Sequence, residues 1–131
     1  MNKITLLDKY PVYAEEIDKG ATNCQSVDEV MAHLKQHIES HPVANYIGDF
    51  DHYAYVAGQS EGKISEDIKA SKHLLFCVAN AIPNPLIAAV RPRAISVAEL
   101  KDKFVISFLE APVDTANQLM AGWVESLKAT A

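Results

Sequence analysis

The sequence predicts an α+β fold, an antiparallel sheet with two main helices packed on one face, in two layers. Three observations carry this. The apolar runs His73 to Ala79 and Phe104 to Leu109 are too short for core helices and rich in strand-forming side chains. Two longer stretches, one ending before Pro42 and one following Pro112, repeat apolar residues at helical spacing. The strand-like runs between them follow one another through short connections, which favours antiparallel pairing.

Taken in order, Ile4 to Ile17 is apolar without helical period, and Pro11 marks it as an edge or irregular strand. Ser26-Val27-Asp28-Glu29 forms a capping box, in which the serine oxygen accepts the Glu29 N–H and the glutamate reaches back. Val27, Val30, Met31, Leu34 and Ile38 then share one helix face until Pro42 stops the run. Asn45 to Val56 reads as a strand whose even positions, His52 among them, face the apolar side, while Asp49 and Asp51 share the other. Gly58 to Lys63 reads as a loop and Ser65 to Ala70 as one or two helical turns. Leu86 to Val90 reads as a strand; Ile95 to Glu99 fits a strand or a short turn. Pro112 opens the second helix, whose buried stripe is Ala116, Leu119, Met120, Trp123, Val124 and Leu127.

A length of 131 residues fits one domain, 1-131, with enough chain to bury a core. The central run is apolar on both sides: Phe104, Ile106 and Phe108 point one way, Val105 and Leu109 the other. Two helices cover only one face, so a homodimer covering the other is expected. The net charge of −5 disfavours nucleic acid, whose binders carry a basic stripe. No apolar stretch is long enough to span a membrane, and the charged first ten residues do not form a signal peptide, so a cytoplasmic protein is expected. Cys24 and Cys77 are far apart and form no C-x-x-C, so no disulfide is expected. Cys77 reads as a small core residue; Cys24 precedes a helix start, where a thiol pKa can fall.

Four polar groupings are candidates for chemistry. Arg91-Pro92-Arg93 is foremost, because a guanidinium is costly to bury unpaired. Glu99 and Glu110 are the carboxylates expected to clamp these arginines. The alternative is a small anionic ligand or acidic partner at Arg91, Arg93 and Glu110. His52, beside Asp51, is the candidate acid or base of an enzyme using the arginines as clamps. His33, His37 and His41 recur every four residues and form a weak metal candidate, lacking the glutamate of H-E-x-x-H. No nucleotide-binding glycine motif or nucleophile elbow occurs, and no cofactor is implied.

The runs Phe50-Asp51-His52-Tyr53-Ala54, Ile82-Pro83-Asn84-Pro85, Ala89-Val90-Arg91-Pro92-Arg93 and Phe108-Leu109-Glu110-Ala111-Pro112, with Phe76-Cys77, resemble an uncharacterised family of small bacterial proteins. The resemblance runs from about Leu7 to Lys128 and implies no activity. In that family the first motif tends to continue into His-Thr, where this chain has Tyr55-Val56. More loosely, the layout is similar to a second compact bacterial α+β family of unknown function, which implies a fold and nothing more. The function expected is therefore a non-catalytic anion-binding module, with an enzyme and a metal-handling protein as alternatives.

Overall fold

Side-chain alternation builds the sheet of this protein, described for residues 1–129 by a computed structural model. The strands are β1 (Asn2–Leu6), β2 (Tyr10–Asp18), β3 (Asn45–Asp51), β4 (Ala70–Cys77), β5 (Arg93–Glu99) and β6 (Lys103–Leu109). They form one six-stranded sheet in the order β1-β2-β6-β5-β4-β3, with every neighbouring pair antiparallel. Ile17, Leu74, Phe76, Ile95, Val97, Phe104, Ile106 and Phe108 lie on one face and are buried. Helices α1 (Val27–Ser40) and α3 (Asp114–Glu125) cover that face, as expected, and their apolar stripes join the same core.

The caps of α1 come from near and far in sequence. Ser26 Oγ accepts the Glu29 N–H at 3.2 Å. Glu29 reaches back one residue further than expected, to the Gln25 N–H at 2.6 Å. Glu99, at the end of β5, accepts the Val27 N–H at 2.8 Å. The bonds to the Val27 and Glu29 N–H groups satisfy donors that a helix start otherwise leaves open, and the third ties down the residue before the cap.

Several sequence expectations are corrected. Ile4 to Ile17 is a hairpin of two strands, turning through Leu7 (φ 54°) and Asp8 (φ 60°), both in the left-handed region. The run from Asn45 does not stay extended to Val56. It ends at Asp51, whose carboxylate accepts the Ala54 N–H at 2.9 Å and starts the short helix α2 (His52–Ala57). Leu86 to Val90 is not a strand but part of a 3-10 segment, Pro85–Val90, capped by Asn84 Oδ1 at 3.0 Å from both the Leu86 and Ile87 N–H groups. Ser65 to Lys69 is irregular chain leading into β4, whose first residue is Ala70, and Ile95 to Glu99 belongs to β5.

The second face of the sheet is partly covered by the chain itself. At one end α2 packs on β4, and Val56, Ile64 and Ile68 gather over Ser71. At the other, Ala89 and Val90 of the 3-10 segment stand beside Ala94. Over β1, β2 and the end of β6 the face is open. There Ile4, Leu6, Tyr10 and Leu109 remain 47–51% exposed.

Candidate functional site

The two central strands come apart at one end. The β4–β5 ladder runs as far as Phe76 opposite Arg93, and the β2–β6 ladder as far as Val12 opposite Leu109. The β5–β6 ladder between them stops at Ser96 opposite Ser107. The β6 end is drawn toward β2, where the Glu110 N–H reaches Pro11 O at 2.9 Å. Arg93 plugs the opening, with its Nη2 donating to Leu109 O.

This arginine is 6% exposed and has no carboxylate in salt-bridge range among the described residues. Its Nε is buried without a hydrogen-bond partner. Burial, and then the charge of Arg91, pull its pKa below the ordinary arginine value, which leaves an arginine charged. The expected Arg–Glu clamp is not formed. Glu99 stands at the far end of β5, six residues or roughly 20 Å of strand away. It is bonded to Lys19 at 2.9 Å and to the α1 N-terminus. Glu110 is closer, but Lys3 on the β1–β2 hairpin takes its carboxylate.

Arg91 is half-buried and, with Arg93, lines a narrow cleft of about 40 Å³ against Ala111, Val113 and Ala116. These last residues are the entry and first turn of α3, whose N-cap, Val113, has no side-chain acceptor. The narrow cleft thus faces two guanidinium groups and the positive end of a helix.

Arg93 also borders a larger cleft of about 400 Å³ on the open face of the sheet. Its floor is a row in register across three strands: His73, Ser96 and Ser107. Its walls are largely apolar, with Leu6 and Val12 on one side and Val90 and Pro92 on the other. His73 Nε2 lies 3.2 Å from His52 Nδ1, and the Phe50 ring stacks on both imidazoles at 5.8 and 5.4 Å. Burial, and then the neighbouring His52, lower the His73 pKa. The neutral ring offers one donor and one acceptor.

The other candidates lie elsewhere. His52 sits on α2, not within a strand, and reaches the large cleft only through His73. His33 Nε2 and His37 Nε2 both meet Ser126 Oγ, at 2.8 and 3.0 Å. That hydroxyl also donates to Trp123 O at 2.6 Å, so both imidazoles serve as its donors. His41 turns away and caps the Val43 and Ala44 N–H groups through Nδ1, each at 3.2 Å. No group of three or more His, Cys, Asp or Glu among the described residues is placed to hold a metal. Asp49 and Asp51 are solvent-exposed, with Lys72 3.9 Å from Asp51. Both cysteines are free and half-buried, and burial pushes the Cys24 thiol up rather than down.

Sequence reasoning missed His73, Ser96 and Ser107. The signal was present: small or polar residues alternate with Leu74, Ile95, Val97 and Ile106 along the same strands. It read as the second side of a sheet and not as the floor of a cleft.

A model for a family of unknown function, DUF6858, matches residues 1–129. The chain belongs to that family. Its fold is similar to the crystal structure of an uncharacterized conserved DUF302 protein from Bacillus stearothermophilus, with a TM-score of 0.64 at 11% identity, covering 89% of this chain and 98% of that one. At that identity the likeness is one of fold alone. No curated protein matches the chain. No helix among the described residues is long and apolar enough to cross a membrane.

Proposed function

We propose that this protein is a non-catalytic module that binds a small anionic ligand through Arg93 and Arg91. One observation carries the reading: Arg93 is 6% exposed and, among the described residues, lacks a carboxylate partner and keeps an unbonded Nε. A buried charge left this way costs stability unless something else neutralises it. The narrow cleft of about 40 Å³ has the volume of a few water molecules, the size of a carboxylate or phosphate group. Glu110 borders the larger cleft instead, and its carboxylate is paired with Lys3. The test is a thermal-shift series with acetate, phosphate and sulfate on the wild type and on Arg93→Met. The wild type should be stabilised by at least one anion, and the variant by none. Without ligand, Arg93→Met should melt at or above the wild-type temperature, because it removes an unpaired charge. A series that shifts neither protein overturns the reading.

A second reading, an enzyme, is favoured by one fact: Arg93 and His73 border the same cleft. In it the acid–base group is His73, with His52 behind it as a positioning residue. A cytoplasmic location is also proposed. It draws support from two thiols left unpaired and from the lack of a membrane-spanning helix among the described residues.

A further inference from the structure

We infer that the ligand is a carboxylate carried on a compact apolar body with a polar group at its far end. This rests on the anion site at Arg93 and adds what the rest of the molecule must look like. Arg93, set in the strand split, borders both the narrow cleft and the large one. An inorganic anion fills only the first. The second, at about 400 Å³, has the volume of a small-molecule site and the usual make-up of one. Its walls beside the arginine are the apolar side chains Leu6, Val12 and Val90. Its polar groups are gathered on the floor at His73, Ser96 and Ser107, in a single register row. Arg93 stands three residues before Ser96 on β5, so roughly 10 Å of strand separates the charged end from that row. A phenyl ring on a two-carbon carboxylate chain, with a hydroxyl opposite, has this spacing and this order of chemistry.

Calorimetric titration of the full chain with acetate, phosphate, 3-phenylpropanoate and 3-(4-hydroxyphenyl)propanoate tests it. The aryl acid should bind at least about tenfold tighter than acetate, from the apolar surface it buries. The hydroxyl should add a further gain of about threefold, the size of one hydrogen bond. Ser107→Ala, which takes one polar group off the floor row, should reduce the gain from the hydroxyl. Equal affinity for acetate and both aryl acids overturns the inference and leaves the anion site standing. Failure of all four to bind removes the anion site, and the inference with it.

Discussion

Ala111 makes both of its backbone hydrogen bonds to one buried side chain. Its N–H donates to Asn117 Oδ1 at 2.7 Å, and its carbonyl accepts from Asn117 Nδ2 at 3.1 Å. Asn117 is 2% exposed, so these bonds are shielded from water and fix the turn from β6 into α3 beside the arginines. Asn117→Ala should destabilise the protein by about 2–4 kcal/mol, because two buried backbone groups lose their partner. Denaturant titration measures this; a loss under 1 kcal/mol would mean that water reaches the turn. Arg93 is the contrasting residue, since its buried Nε has no such partner among the described residues. The unusual character of Arg91 and Arg93 was legible in sequence, from two guanidiniums beside a strand. Their lack of a carboxylate was not, because it depends on Lys3, more than a hundred positions away from Glu110 in the chain.

Elements were most legible where period and cap agreed. Helix α1 begins at Val27 behind Ser26 and buries the five residues its spacing singles out. Helix α3 buries Met120, Trp123 and Val124, with Trp123 edge-on to Phe76 at 5.6 Å between ring centroids. Trp123→Ala should cost about 3–5 kcal/mol, the usual loss on truncating a buried large aromatic. An unchanged melting temperature would contradict its place between α3 and β4. Elements were misread where a local cap overrode alternation. Asp51 turns the chain into α2, and Asn84-Pro85 starts a 3-10 segment; both are start signals in plain view. The apolar residues that follow fit either period over so short a stretch, so the cap decides.

For the whole molecule, acid should be destabilising. His33 and His73 both have pKa values lowered by burial and by a neighbouring histidine. The unfolded chain therefore holds more protons than the folded one around and below the ordinary imidazole value, about 6.5. Their contribution is present in full above that value and is lost as pH falls through the folded pKa values. Denaturation midpoints should drop between pH 7.5 and pH 5, and less so in His33→Gln/His73→Gln; equal drops in both proteins would exclude the histidines as the cause. We also propose a homodimer, supported by the apolar row Ile4, Val12 and Leu109, which runs in register across β1, β2 and β6 with Leu6 and Tyr10 beside it. Light scattering at micromolar concentration should give twice the chain mass, and Leu109→Lys should give the monomer. A monomeric wild type would sink this.

By itself the sequence determined the α+β class, the antiparallel sheet, both main helices with their buried faces, and the arginine pair as the place to look. Those properties follow from period, caps and the cost of burying charge, all of which act over a few residues. Tertiary structure alone decided the strand order, the split between β5 and β6, and the meeting of Arg93 with His73, Ser96 and Ser107 around one cleft. Strand order and register bring distant segments together, and the local pattern of a strand is the same whichever neighbour it pairs with.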